Sequence, residues 1–172
     1  MKKIILLLCI LLCINTFHSF ASKTDSLTII NTKELTTAEI IDSLVVNKDL
    51  DFIADRAIPV RMKARNITGS YGLTIKGDTV NCHLPYFGRV HSAPIGSNDN
   101  SIKATNAAIE NYTVTEIKSG TKYIKFSFKS ENHTSKWEVT IQVFDNGKAT
   151  INCTNPHTDR INFLANLKNG LK

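Results

Sequence analysis

The chain of 172 residues lacks any apolar run long enough to span a bilayer as a helix, which takes about 20 residues. Its longest apolar run, residues 4–14, follows two lysines and ends shortly before the small residue Ala21. This layout predicts a secretory signal peptide over residues 1–21, with no transmembrane segment left after cleavage. Cys9 and Cys13 lie inside the run rather than after a small residue at its end, which favours ordinary cleavage over lipid attachment.

Motifs for catalysis and metal binding are also missing. No histidines show H-x3-H or H-E-x-x-H spacing, and no Cys-x-x-Cys pair occurs, so no zinc site is predicted. The chain has no G-x-S-x-G nucleophile elbow and no glycine-rich phosphate loop. Its acidic residues are scattered rather than paired as in glycosidases. We therefore expect no enzyme, no cofactor and no catalytic or metal-binding residue.

Cysteine is scarce, since only Cys82 and Cys153 remain after the predicted cleavage. Both lie on the apolar side of strand-like segments. Outside the cytoplasm such a pair can oxidise, so the two either form a disulfide or remain buried free thiols. The sequence does not decide between these alternatives.

Acidic residues are outnumbered, with 15 Asp and Glu against 21 Lys and Arg and a formal charge of +6. Loss of Lys2 and Lys3 with the signal peptide lowers this charge to +4. The basic stretch 118–129 has four lysines among strand residues, which is typical of a solvated sheet face. No nucleic-acid partner is expected.

Hydrophobic periodicity predicts one short helix followed by strands. Thr36 and Glu39 have the spacing of a capping box, and apolar residues at helical spacing follow as far as Asn47. From Asp51 onward the apolar period is two. The first strand, residues 51–58, leads into Pro59, which is compatible with a sheet edge or with a strand end. We expect this strand to be the edge that could pair with another chain.

Two turn signals mark hairpins within the alternating region. Gly77-Asp78 predicts a type II′ turn, and Asn146-Gly147 predicts a type I′ turn. The pattern as a whole predicts a mainly β fold (α+β at the margin) with seven to eight antiparallel strands. This meander closes as a barrel or half-barrel or folds into two layers. Residues 22–35 are expected to form a flexible lead-in, and residues 36–172 a single domain.

The segment 84–94, LPYFGRVHSAP, interrupts the strands and has two interpretations. In the first, Tyr86, Phe87, Arg89 and His91 form a binding surface, because aromatic residues and arginine are enriched where proteins grip partners. In the second, the segment is a corner in which the aromatics plug the end of the barrel. Arg89 then hydrogen-bonds exposed carbonyls and also pairs with Asp55.

The same segment carries a family resemblance. Residues 77–81 leading into 84–89 and 92–94, together with residues 55–59 and 144–149, resemble the secreted bacterial domain of unknown function 4251 (DUF4251). The resemblance spans residues 37–167 and implies a bacterial envelope protein, with no activity or site residue attached. Cys82 and His83 depart from the small residue and the aromatic expected before the LPYFGR motif, so the resemblance does not imply a disulfide.

The expected function is that of an exported protein of the periplasm, cell envelope or extracellular space. We expect a non-catalytic protein that binds a ligand, such as a small apolar molecule, or an envelope protein through its aromatic-rich end. The alternative is a small secreted hydrolase that uses His83 or His91 as its base.

Overall fold

The computed structural model describes residues 35–91, 101–117, 120–131 and 136–168. The predicted signal peptide and all but the last residue of the predicted lead-in lie outside these ranges. The described elements are α1 (Thr37–Val46), β1 (Asp49–Pro59), β2 (Arg65–Asn66), β3 (Gly72–Lys76), β4 (Thr79–Pro85), β5 (Ser101–Ala108), β6 (Glu110–Glu116), β7 (Lys122–Lys129), β8 (Lys136–Val143), β9 (Lys148–Asn155) and β10 (Thr158–Leu167). Over these ranges no helix is long and apolar enough to cross a bilayer.

The helix α1 begins with the predicted capping box. The side chain of Thr36 accepts a hydrogen bond from the backbone N–H of Glu39 at 3.3 Å, and the Glu39 carboxylate accepts one from the Thr36 N–H at 2.8 Å. Ile41 and Val45 are buried in the core. Asp42 forms an ion pair with Lys122 at 2.7 Å, so the helix packs on the end of the sheet where β1 and β7 begin.

The strands form one antiparallel sheet in the order β5-β4-β3-β1-β10-β9-β8-β7-β6, with β2 paired to β1. β5 and β6 are the two edge strands of the sheet, yet they follow each other directly in the chain. The two edges therefore lie close together, and the sheet is nearly closed into a barrel. Asn106 and Asn111 have φ of 49° and 56° beside register shifts in these pairings, where bulges bend the chain. The Glu131 N–H donates to the Lys103 carbonyl at 2.8 Å across the gap.

The mainly β antiparallel fold with a single short helix is confirmed for the described residues, and the barrel alternative is the one observed. The expected seven to eight strands compare with nine along the sheet and the short β2. The additional strand of the barrel is β5, which the sequence pattern missed. The bulge at Asn106 breaks its alternation of buried and exposed residues.

Two local predictions are wrong. β1 is a central strand, paired with both β3 and β10, rather than an edge strand. Pro59 is tolerated because it is the last residue of β1. At the β8–β9 turn only Gly147 has a positive φ, of 77°, and the Phe144 N–H donates to the Lys148 carbonyl at 2.9 Å. This turn is of the longer kind with glycine at its left-handed position.

Side chains fill the interior of the barrel. The largest fully buried ones are Trp137, Phe52, Phe126, Phe128 and Phe163. A ligand inside the barrel would have to displace such side chains, and exposing each one to water costs about 1.5 to 3 kcal/mol. The surfaces open to a partner therefore lie on the outside.

Cys82 and Cys153 are free thiols in this core. Burial raises the pKa of Cys153 to about 12. Burial, and secondarily the nearby Cys153, raises the pKa of Cys82 well above its ordinary value. Both thiols are therefore inert at neutral pH, when the reactive thiolate is absent.

Candidate functional site

Three chain segments meet at the end of the barrel where β1 finishes: residues 60–66, 86–91 and 156–160. Backbone hydrogen bonds join the second segment to the third. The His91 N–H donates to the His157 carbonyl at 2.7 Å, and the Asp159 N–H donates to the Arg89 carbonyl at 3.0 Å. The first segment follows directly from Pro59, which pairs with Ile161. We call this surface the arginine end, for the side chains described below.

Tyr86 supports this end from inside. Its side chain is only 7% exposed and packs edge-to-face on Trp137, with ring centroids 5.9 Å apart. The Tyr86 hydroxyl lies 3.0 Å from the Arg89 carbonyl and 2.8 Å from the Asp159 carbonyl, and donates to them. Burial raises the pKa of this hydroxyl. Tyr86 therefore acts as a buried plug that ties two segments together.

Gly88 fits closely against this plug. A Cβ atom at position 88 would overlap the Tyr86 hydroxyl oxygen, so a larger residue requires the segment or the Tyr86 ring to shift. The neighbouring Phe87 is half-buried against the core. The Arg65 guanidinium lies over its ring, 5.3 Å from the centroid. Of the predicted binding residues, only Arg89 and His91 are exposed.

Asp159 is the anion at the centre of the arginine end, and the sequence reasoning missed it. Its side chain is 11% exposed; Oδ1 lies 3.0 Å from His91 Nε2, and Oδ2 lies 3.8 Å from Arg61 Nε. Desolvation raises its pKa, but the hydrogen bonds from His91 and the Arg89 backbone and the charge of Arg61 outweigh it. The pKa of Asp159 is therefore below its ordinary value, which keeps the carboxylate ionised.

The expected pair between Arg89 and Asp55 does not form. Asp55 accepts a hydrogen bond from Asn166 instead, on the outer wall of the barrel. His83 is also on this wall, where its ring lies 4.8 Å from that of Tyr71. The structure thus separates His83 from His91.

All five arginines of the chain lie at or near one end of the barrel: Arg56, Arg61, Arg65, Arg89 and Arg160. Arg56 is on β1, three residues before its end, and the other four lie in the three segments of the arginine end. Over the described residues only Arg61 has an ion-pair partner. In contrast, five of the ten described lysines pair with acidic residues elsewhere: Lys48, Lys103, Lys122, Lys136 and Lys168.

The loop between β1 and β2 adds exposed apolar side chains to these charges. Val60 is 56% exposed and Met62 is 44% exposed. With Phe87, Arg89 and Asp159 they line a pocket of about 180 Å³. Larger grooves of about 480 and 720 Å³ lie on the outer wall. Among the described residues, no group of three His, Cys, Asp or Glu side chains could hold a metal ion.

A family model for a domain of unknown function, DUF4251, matches residues 32–167. The chain belongs to the DUF4251 family. No curated protein is significantly similar to this DUF4251 chain. It resembles the crystal structure of a DUF4251 family protein from Bacteroides eggerthii, with a TM-score of 0.57 and 9% sequence identity. The match covers 76% of this chain and 85% of that chain, and at this identity it shows the DUF4251 fold alone.

Proposed function

We propose that this DUF4251 protein is a non-catalytic, exported binding protein that attaches to an anionic partner in the cell envelope through its arginine end. The observation that carries the proposal is the distribution of arginine. All five arginines are near one end, and four of them have no ion-pair partner among the described residues. Arginine presents a planar array of donors that matches carboxylate and phosphate groups, so unpaired arginines favour an anionic partner.

The size of the pocket favours an extended surface over an enclosed small molecule. Pockets for drug-sized ligands measure about 300–1,000 Å³, whereas the pocket at the arginine end has about 180 Å³. Its surroundings are exposed and cationic rather than closed and apolar. A small apolar ligand is therefore a poorer match for this end than a charged surface.

The hydrolase alternative gains no support from His91. Its ring nitrogen contacts Asp159, which is how an acid orients a catalytic histidine, but a base must also face a nucleophile or a water. The hydrogen bonds described for His91 go to Asp159 and to the His157 backbone, and not to a hydroxyl or a thiol. This geometry supports a structural role for His91.

Co-sedimentation with the envelope fraction of the bacterium that makes the protein tests the proposal. The variant R61Q/R65Q/R89Q should lose binding at least tenfold, because arginines central to an interface are common hot spots. The control K76Q/K125Q/K129Q removes the same charge from exposed side chains that have no described ion pair, and should bind nearly as the wild type does. Equal binding by both variants, or a greater loss in the control, would refute the proposed site.

The three arginine side chains are exposed, so both variants should also unfold cooperatively at nearly the wild-type temperature. This control separates a loss of binding from a loss of structure.

A further inference from the structure

The β1–β2 loop alternates apolar and cationic residues over Val60, Arg61, Met62, Lys63 and Ala64, and Arg65 follows in β2. The segment 60–66 contains no acidic residue. In this loop Val60 is 56% exposed and Met62 is 44% exposed, and each has a cationic residue beside it in the chain. A partner with both apolar and anionic groups would match this loop. Its apolar groups would cover Val60 and Met62, and its anionic groups would pair with the neighbouring cations.

We infer that the arginine end binds the surface of an anionic lipid membrane. In this inference, which rests on the proposed function, Val60 and Met62 enter the boundary between headgroups and acyl chains. Arg61, Arg65 and Arg89 contact the lipid phosphates. Cations near an anionic bilayer are attracted to its negative surface potential, and apolar side chains beside them anchor the protein at the interface.

A protein partner fits this surface less well. The centres of protein interfaces are built around large aromatic anchors and are depleted of charged residues. Among the described residues of this end, the one Phe, Tyr or Trp side chain that is not fully buried is that of Phe87, which is half-buried and lies beneath the Arg65 guanidinium. The apolar groups that are exposed are two separate side chains between cations. Single apolar side chains among cations suit shallow insertion into a bilayer.

Sedimentation with defined vesicles tests the inference. One set is made of phosphatidylcholine alone, and the other also contains phosphatidylglycerol. Wild type and variants carry the same N-terminus, so any contribution of the apolar run 4–14 is common to all of them. The wild type should bind only the vesicles that contain phosphatidylglycerol, and added salt should weaken this binding.

Two variants separate the charged and the apolar contributions. R61Q/R65Q/R89Q should lower the vesicle affinity about 100-fold, at roughly fivefold for each cation, whereas K76Q/K125Q/K129Q should lower it far less. V60S/M62S should lower it about tenfold without any change in charge.

Other results would overturn the membrane assignment. If soluble glycerol phosphate competes fully and V60S/M62S binds as the wild type does, the site recognises a free phosphate group. If neither set of vesicles binds while the envelope fraction still distinguishes the arginine variant from its lysine control, the partner is a protein or polysaccharide. In that case the proposed function stands without this inference. If the arginine variant binds like its lysine control to the vesicles and also to the envelope fraction, the membrane inference and the proposed function are both refuted.

Discussion

Replacing Tyr86 with alanine should lower the free energy of unfolding by about 3 to 5 kcal/mol, the usual range when a large buried aromatic side chain is removed. Tyr86 is 7% exposed, packs against Trp137, and donates to the carbonyls of Arg89 and Asp159. The alanine variant loses both the packing and the donor. Urea denaturation, followed by tryptophan fluorescence, measures the change.

The variant Tyr86→Phe is the matched control. It keeps the ring in its place and removes only the hydroxyl, so it should cost about 1 to 2 kcal/mol, the penalty for a partly buried carbonyl that loses its donor. A destabilisation below 1 kcal/mol for the alanine variant would contradict the structural role of Tyr86. Tyr86 would then again be a candidate binding residue.

Raising the pH from about 9 to 12 should lower the free energy of unfolding by about 3 kcal/mol through Cys153 alone. Its thiol has an ordinary pKa of 9.0 when exposed and a pKa of about 12 when folded. Between these values the unfolded chain has lost a proton that the folded chain keeps, so stability falls by about 1.4 kcal/mol per pH unit. The contribution is complete below pH 9 and is lost by pH 12. At about pH 10.5 roughly half of this loss should be present.

The double variant C82A/C153A isolates the thiol contribution. Burial also raises the pKa of Tyr86 and of Tyr112, and these phenols add their own alkaline destabilisation above pH 10. The double variant should lose less stability between pH 9 and 10.5 than the wild type, as measured by urea denaturation at each pH. An identical pH dependence would contradict two buried thiols. If the unfolded wild type reacts with iodoacetamide only after a reductant is added, Cys82 and Cys153 form a disulfide instead.

Local features of the fold were predictable because their causes are local. The capping box of Thr36 and Glu39 forms because its two hydrogen bonds join residues three apart. The hairpin at Gly77 forms with φ of 57° because the turn itself requires a positive φ there. The closure of the barrel was not predictable in this way. It depends on left-handed Asn106 and Asn111, which tertiary pairing holds in place.

In the candidate site, too, features with local causes were predictable and features that depend on long-range contacts were not. The sequence drew attention to residues 84–94, and the structure makes part of this segment a corner, with Tyr86 buried and Gly88 packed closely against it. Residues 92–94 lie outside the described residues. Asp159 could not be found from spacing, because it lies 68 residues beyond His91 and reaches it only through the barrel topology.

The arginine end was the least visible feature in the sequence. The stretch 118–129 holds four lysines close together in the sequence, whereas the arginines are distributed over more than 100 positions between Arg56 and Arg160. One signal was present, since residues 60–66 contain three cations and no acid between exposed apolar residues. The polarity of residues 60–66 alone did not identify them as a binding surface, because turns at strand ends are usually polar.

Arginine-selective labelling tests the central claim most directly. Phenylglyoxal modifies exposed guanidinium groups, and peptide mass spectrometry reports each arginine separately. The protein is labelled alone and with the envelope fraction, with lysine acetylation measured in parallel. The envelope fraction should protect Arg61, Arg65 and Arg89 while Lys76 and Lys125 react as before. Unchanged arginine labelling together with protection of Lys76 and Lys125 would contradict a binding surface at the arginine end.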